Sequence, residues 1–362
     1  MKPPLFRWRF LFYNGSMIDN RYVDFAVEKT LSLLSVDSPT GYTEAVAGLV
    51  RREFESLGFP CRMTNKGGII ADLGGNDDSN GLVIMAHMDT IGAIVSEIKP
   101  SGRLRMDMLG GLHPVGIEGE NVRIHTRDGK IYEGTIQIPN PSVHVNDDFN
   151  NSPRTWRVLE CFIDEDVKSR DDVRALGIEV GDPVCLFTGA HVTESGYIKS
   201  RFLDDKLSVG IILALAKYIS DNGIELSRHT YVHITAYEEV GHGASSSVPE
   251  GVTEGLSVDM GCVGEGCSCT EREVSICAKD AKGPYNYHMV GALIDAAKRE
   301  GASYCVDTYP HYSSDVEAAL SGGADIRHGL IGPGVFASHC NERSHIDGVK
   351  NTLLVLKGFL GI

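Results

Sequence analysis

One stretch of this sequence, residues 93–198, interrupts an otherwise regular alternation of strand and helix patterns. Before and after it, short apolar runs typical of buried strands take turns with segments whose apolar residues recur every three or four positions. The interrupting stretch instead carries short runs of alternating polarity, many glycines and prolines, and one helical pattern at 169–176. The alternation predicts an α/β fold with a mixed, mostly parallel sheet covered by helices. The interruption predicts an inserted β-rich domain.

The α/β domain is predicted to comprise residues 17–92 and 199–362. Its helices are expected over 19–35, 206–220, 285–299, 314–320 and 346–360, with a further one that ends at Gly58. Its strands are expected over 68–73, 82–86, 231–235, 256–260, 274–279, 304–308 and 325–331. Inside the insertion, strands are expected over 94–99, 121–126 and 131–138.

Composition narrows the classes of function. The 362 residues include 34 basic and 49 acidic ones, a net charge of −15 that disfavours binding to nucleic acid or to an anionic membrane surface. No apolar run approaches the roughly 18 residues that a membrane-spanning helix needs. The nine cysteines are scattered, which fits reduced thiols and a cytoplasmic protein. Residues 1–16 lack the features of a signal peptide. They are interpreted either as a disordered tail or as the result of a start codon assigned too far upstream.

Acidic residues and histidines gather at the ends of predicted strands or just past them. They form five clusters: His87-x-Asp89, Asp204-Asp205, Glu238-Glu239, Asp259 and His339. Taken singly, each has an ordinary structural explanation, such as a buried histidine, a helix N-cap or a solvated acidic turn. Taken together, all five fall where the carboxyl ends of strands collect ligands in an open α/β sheet. Paired carboxylates beside histidines suit metal ligation by some and proton transfer by others.

The order of these clusters resembles that of the co-catalytic dinuclear metallopeptidases. The likeness is strongest to the tetrahedral (TET-type) glutamyl/deblocking aminopeptidases, metallopeptidase family 42, over roughly residues 20–360. The residues that carry it are Ala86-His87-Met88-Asp89, Leu203-Asp204-Asp205-Lys206, Glu238-Glu239-Val240-Gly241, Val258-Asp259-Met260-Gly261 and Ser338-His339. The resemblance implies a zinc-peptidase-like fold. It also implies an aminopeptidase that removes N-terminal residues from short peptides by attack of a metal-activated water.

The resemblance implies a role for each site residue. Two divalent metal ions per subunit, Zn²⁺ or else Co²⁺ or Mn²⁺, would be held by His87, Asp204, Glu239, Asp259 and His339. Asp204 would bridge the two ions, and the peptide bond between Asp204 and Asp205 would be cis. Glu238 would be the general base, and Asp89 would hydrogen-bond His87 and hold its tautomer.

The position of the insertion separates relatives within this superfamily. In the related exopeptidases and deacylases with a lid domain, the insertion falls between the metal ligand of the third cluster and the last histidine. In this chain the long gap lies between His87 and Asp204, where the TET-type enzymes carry their dimerisation domain. The resemblance therefore implies that residues 93–198 serve dimerisation and assembly. It further implies a homo-oligomer, a dodecamer built from dimers.

The sequence departs from the family's pattern next to the last histidine. Family members often carry an arginine there, whereas this chain has an uncharged run that includes Pro333, Val335 and Phe336. The resemblance implies that this run lines the substrate pocket. A pocket without a cation favours neutral first residues over glutamate, because an unpaired carboxylate is costly to desolvate. The alternative function is a metal-dependent N-acyl amino acid deacylase with the same centre; a glycosidase or a non-catalytic scaffold accounts for fewer of these residues.

Overall fold

The computed structural model describes residues 18–362 and places them in a large α/β sheet with a separate small barrel. The predicted tail at 1–16 lies outside the described residues. From residue 18 to residue 362, no helix is both long enough and apolar enough to cross a membrane. All nine cysteines fall in this range, and each is a free thiol.

The first part of the α/β unit contains two helices and three strands. They are α1 (Asn20–Leu34), α2 (Glu44–Ser56), β1 (Cys61–Met63), β2 (Ile69–Asp72) and β3 (Gly81–His87). Helix α1 begins after Asp19, whose side chain accepts a hydrogen bond from the amide of Arg21. All seven residues of β3 are buried, as expected of a central strand that is covered on both faces.

The chain then forms a barrel. Its elements are β4 (Gly92–Ile98), β5 (Leu104–Leu109), β6 (Asn121–His125), β7 (Ile131–Gln137), β8 (Glu160–Ile163), α3 (Arg170–Leu176) and β9 (Pro183–Leu186). The strands close in the antiparallel order β4-β5-β8-β7-β6-β9. Inward-facing side chains such as Val122 and Ile124 fill the interior. The predicted β-rich insertion is therefore present as a separate six-stranded barrel.

The rest of the chain completes the large sheet and its helices. The elements are β10 (His191–Val192), β11 (Tyr197–Ser200), α4 (Leu203–Asn222), β12 (Thr230–Thr235), β13 (Val252–Val258), β14 (Gly261–Val263), β15 (Val274–Lys279), α5 (Tyr287–Glu300), β16 (Tyr304–Thr308), α6 (Asp315–Ser321), β17 (Arg327–Phe336), β18 (Glu342–His345) and α7 (Ile346–Leu360). Although β10 and the first two residues of β11 fall within the predicted insertion, both strands join the large sheet through β18.

The large sheet has twelve strands, and its central four run parallel in the order β12-β3-β13-β17. Antiparallel strands flank them, with β2 and β1 on one side and β18, β11 and β10 on the other. The predicted mixed sheet is confirmed, with parallel pairing concentrated in its middle. Parallel strands end at one edge of a sheet. Accordingly, the last residue of β12, Thr235, pairs with His87, and Asp259 follows β13 at the same edge.

The residues of β3 alternate between two hydrophobic cores. Leu82, Ile84 and Ala86 belong to the larger core, which also contains residues of α1, α4 and α7. Val83 and Met85 belong to the smaller core, on the side of α6. This period of two places the strand between helical layers and fixes the position of its carboxyl end.

Strand β17 is longer than predicted. The sequence predicts an end at Ile331, because glycine and proline are depleted in strands. The strand instead continues through Gly332 and Pro333 to Phe336. Glycine is required at 332, because a Cβ there would overlap the carbonyl group of Asp259. The glycines of this run allow neighbouring strands to approach closely, and they do not mark a loop.

Candidate metal centre

His87 presents one imidazole nitrogen to the centre of the site. Its Nδ1–H donates to the main-chain carbonyl of Asp89 at 2.9 Å. Because a carbonyl oxygen only accepts hydrogen bonds, this contact fixes the tautomer of the ring. The other nitrogen, Nε2, lies 3.1 Å from Oδ1 of Asp204. His87 is almost fully buried, so Nε2 faces the acidic cluster and not bulk water.

The predicted hydrogen bond between Asp89 and His87 is made by the main chain of Asp89, and the carboxylate of Asp89 contacts other groups. Its Oδ1 lies 3.7 Å from Nδ1 of His87, beyond hydrogen-bond distance. The two oxygens instead accept from the amide of Glu238 at 3.1 Å and from the hydroxyl of Thr40 at 2.7 Å. Asp89 thus orients His87 through its main chain and holds the turn that carries Glu238 through its side chain.

The carboxylate of Asp204 joins two groups of potential ligands. The first group consists of His87, Asp204 and Asp259, and the second of Asp204, Glu239 and His339. In each group, the three potential ligand atoms, one from each residue, all lie within 4.8 Å of one another. Nε2 of His339 is 3.4 Å from Oδ2 of Asp204 and 3.4 Å from Oε2 of Glu239. Asp204 therefore directs Oδ1 to one histidine and Oδ2 to the other.

The backbone turns sharply where these residues leave their strands. Tyr237, Ala337 and His339 have left-handed conformations with φ of 69°, 60° and 64°. Such φ values are uncommon for residues other than glycine and persist where surrounding contacts hold them. The peptide bond between Asp204 and Asp205 is cis, as the family resemblance implies.

Buried negative charge dominates the electrostatics of the site. Burial and the neighbouring Asp204 raise the pKa of Glu239 to about 8 and the pKa of Asp259 to about 7. Burial also raises the pKa of Glu238 well above its ordinary value. Although burial opposes its ionisation, the protonated rings of His339 and His87 beside it hold the pKa of Asp204 below its ordinary value. A cation among these carboxylates would favour their ionised forms.

The residues of both groups fit divalent metal ions. Neutral imidazole nitrogen and carboxylate oxygen are ligands of Zn²⁺, Co²⁺ and Mn²⁺ in proteins. Within the described part of the chain, the buried Oε1 of Glu239 has no hydrogen-bond partner. Leaving such an atom without a partner is costly unless a ligand meets it. The donor set and the unsatisfied oxygen together indicate a metal-binding site.

Comparison with known proteins identifies the family. The family model of the M42 glutamyl aminopeptidases matches residues 67–354. The chain belongs to this family. M42 enzymes are metal-dependent aminopeptidases, so this protein is a peptide hydrolase that depends on a metal. The predicted family is confirmed.

Three relatives of this M42 chain align with more than nine tenths of its length. The putative aminopeptidase YhfE of Bacillus subtilis (strain 168) is 43% identical over 335 residues, covering 91% of this chain and 97% of that protein. The aminopeptidase APDkam598 of Desulfurococcus kamchatkensis superposes with a TM-score of 0.82 at 22% identity, covering 94% of each chain. The TET1 peptidase of Pyrococcus horikoshii gives 0.81 at 20% identity, covering 92% of this chain and 98% of that one. The two solved structures share the fold, and the deacylase alternative finds no support among these relatives.

The three predicted pocket residues of this M42 chain lie on β17. Pro333 and Val335 are buried within the sheet, whereas Phe336 is exposed. The guanidinium carbon of Arg343 lies 5.1 Å from the centre of the Phe336 ring, and the same side chain donates to Glu271 at 2.7 Å. Of the three side chains, Phe336 alone reaches the surface, beside a cation that is already paired.

Sequence reasoning missed Glu342, a buried residue at the start of β18. Its two carboxylate oxygens accept from the amide of Asp204 at 3.1 Å and from the amide of His339 at 3.0 Å. The polar sequence around Glu342 is typical of an exposed turn. The pairing of β18 with β11 brings it beneath Asp204, and the local sequence gives no signal of this contact.

Asp315 is a second buried carboxylate that the sequence analysis did not single out. It accepts from the hydroxyl of Thr235 at 2.6 Å and from the amide of Ala244 at 2.7 Å. These contacts hold both ends of the loop that carries residues 238–239. In the sequence, Asp315 follows Ser314 at the start of a predicted helix, where an acidic residue is ordinary.

Proposed function

We propose that this M42 enzyme is a dinuclear metal-dependent aminopeptidase that removes N-terminal residues from short peptides. The observation that carries the proposal is the carboxylate of Asp204, which directs one oxygen to each of two groups of ligand atoms. His87 and Asp259 complete the first proposed site, and Glu239 and His339 complete the second. Two divalent ions, Zn²⁺ or else Co²⁺ or Mn²⁺, suit this mixed donor set.

The chain supplies a base next to the proposed ions. Bound ions of this kind make water a nucleophile near neutral pH and polarise the scissile carbonyl. Glu238 is not among the ligand groups, and its Oε2 lies 3.7 Å from Nε2 of His87, at the edge of the cluster. Glu238 would accept a proton from the attacking water and return it to the leaving amine. Asp89, which holds the amide of Glu238, positions this base.

The proposed specificity is for neutral first residues such as leucine or alanine. Phe336 is the exposed member of the predicted pocket run, and the cation beside it, Arg343, already pairs with Glu271. A glutamate side chain would enter without a free partner and would have to be desolvated. A leucine gains about 0.8 kcal/mol for each methylene that it buries.

A substrate panel tests the activity. Metal-free protein would be reconstituted with Zn²⁺ or Co²⁺ and assayed on leucine and glutamate p-nitroanilides and on N-acetyl amino acids. We expect metal-dependent release of p-nitroaniline, with a higher kcat/KM for leucine. A clear preference for glutamate would refute the proposed pocket, and full activity in the metal-free protein would refute the metal centre. Hydrolysis of the N-acetyl amino acids alone would replace the aminopeptidase by the deacylase.

We further propose that the protein assembles in the cytoplasm as a dodecamer built from dimers, with residues 93–198 as the dimerisation domain. The TET1 peptidase of P. horikoshii, which shares the fold, can assemble into a tetrahedron or a large octahedral shell. The nine free thiols support a reducing compartment. Sedimentation velocity should show a particle of twelve 39.3 kDa chains. A monomer at all concentrations would contradict the assembly.

A further inference from the structure

The loop between β5 and β6, residues 110–120, brings the barrel to the candidate metal centre. Gly111 lies against the imidazole of His339, where a Cβ on Gly111 would be 2.5 Å from Nδ1 and 2.8 Å from Cε1. Gly110 lies against Glu239, where a Cβ would be 3.2 Å from both the Cβ and the main-chain oxygen of Glu239. Two adjacent glycines of the barrel therefore touch both residues that complete the second proposed site.

A buried arginine anchors the same loop at its other end. Arg201 donates from Nη2 to the main-chain oxygen of Gly116 at 2.5 Å and to Oε1 of Glu120 at 2.9 Å. Its Nη1 donates to the main-chain oxygen of Cys340 at 3.3 Å. Cys340 directly follows His339, and Arg201 lies just before Asp204 in the chain. The planar guanidinium of Arg201 thus connects the loop to the segment that carries His339 and to the segment that carries Asp204.

We propose that the β5–β6 loop is a positioning element for the half of the metal centre formed by Asp204, Glu239 and His339. The side chain of His339 is 37% exposed, and the residue lies in the loop after β17 with a left-handed backbone, so no strand fixes the ring. The surface of Gly111 closes one side of the imidazole and leaves Nε2 directed to the two carboxylates. The inference rests on the proposed dinuclear centre and adds to it a role for the barrel inside each site.

A substitution at Gly111 separates this role from general stability. Gly111 does not have a positive φ, so alanine there adds only the steric contact with His339. The matched control is Gly264→Ala, because Gly264 also lacks a positive φ and a Cβ on it would meet nothing within 4 Å. Metal-free wild type and both variants would be titrated with Co²⁺ and followed by calorimetry and by the visible absorption of the bound ion. His339→Ala identifies the binding event that belongs to the second site.

We expect Gly111→Ala to weaken Co²⁺ binding at the second site by about 10–100-fold, the usual effect of removing a group that orients a metal ligand. Binding of the other ion should be as in wild type. Glu120→Gln, a milder change on the partly exposed end of the loop, should weaken binding at the second site less. It also serves if Gly111→Ala fails to fold. The inference would be overturned if both variants bound Co²⁺ as the wild type does, or if binding at the two sites were weakened equally. A wild-type protein that binds a single ion would instead overturn the dinuclear centre itself.

Discussion

The two halves of the candidate centre are held in different ways. His87 ends β3 and Asp259 follows β13, two parallel strands in the middle of the large sheet, and both side chains are buried. Glu239 and His339 lie on loops beyond β12 and β17. The first half takes its geometry from the sheet. The second half depends on groups that brace it from outside, namely the β5–β6 loop and Glu342.

This difference shows where the site is adjustable. The end of a buried central strand cannot shift without disturbing its hydrogen bonds to both neighbours and the close packing of the core. A loop residue such as His339 moves when its few supporting contacts change. We therefore expect substitutions among the braces to act on one ion before the other, whereas substitutions in the central strands act on the whole fold.

The largest effect should come from Glu238, which belongs to neither half. Glu238→Gln keeps the size of the side chain but removes the proposed base. Turnover of leucine p-nitroanilide should fall at least about 100-fold, the usual scale for a positioned general base. Both ions should stay bound, because Glu238 is not among the ligand groups. The measurements are kcat and the metal content after dialysis.

Asp259→Asn is the matched control for Glu238→Gln, because it removes a charge of the same cluster from a proposed ligand. This variant should lose metal from the first half. If Glu238→Gln lost metal while Asp259→Asn kept it, Glu238 would be the ligand and Asp259 would not. The first half of the centre would then have been assigned to the wrong residue.

The next largest effect should come from Glu342. Glu342→Ala removes the acceptor for the amides of Asp204 and His339. The affinity of the second half for Co²⁺ should fall by about 10–100-fold, as measured by titration of metal-free protein. Glu342→Gln should weaken it less, because its amide oxygen still accepts one of the two bonds. Glu271→Ala is the control, since Glu271 pairs with Arg343 of the same strand. Equal losses in Glu342→Ala and Glu271→Ala would show a general loosening of β18.

The smallest effect is expected where the barrel meets the α/β unit. Asp37 accepts two hydrogen bonds from Arg123 at 2.6 Å and one from His125 at 2.7 Å. Although burial opposes its ionisation, these partners lower the pKa of Asp37 to about 2. Asp37→Asn should lower the free energy of unfolding by roughly 1–3 kcal/mol at neutral pH. The Co²⁺ titration should be unchanged, because this contact does not reach either half of the centre.

The pH dependence of this last effect has a definite sign. The pKa of folded Asp37 lies below its ordinary value of 3.8, so its stabilising contribution is fully present above that pH and is lost as the pH falls towards 2. In urea unfolding of metal-free protein, the difference between wild type and Asp37→Asn should stay constant above pH 3.8 and narrow below it. A difference that does not change with pH would mean that the charge of Asp37 contributes nothing.

Local patterns predict most of the α/β elements. The apolar run 82–86 is observed as β3 and the amphipathic run 346–360 as α7, because burial on a regular period leaves a strong signal in either element. The sequence does not predict β10, β11 or β18. These strands have two to four residues, too few for a period, and β18 lies far along the chain from its partner β11.

The candidate site is predictable where chemistry and topology coincide. His87 and Asp259 carry ligand-type side chains at the ends of recognisable strands, and the edge of a parallel sheet collects them. The braces leave no such signal. Gly111 has no functional group, and Glu342 has the sequence surroundings of an exposed acidic residue. Both act through contacts between segments that are remote in the chain, and such contacts exist only in the folded molecule.

The pairing of β11 with β18 also determines the order in which a newly synthesised chain can fold and bind metal. The carboxylate of Glu342 that holds the amide of Asp204 comes 138 positions later in the chain. The barrel strands, in contrast, are all contained in one continuous stretch from Gly92 to Leu186. Pairings between distant segments form slowly, whereas a contiguous unit folds early during synthesis. We expect the barrel to be complete while the ribosome is still at work, and the metal ions to enter only after the last strand has emerged.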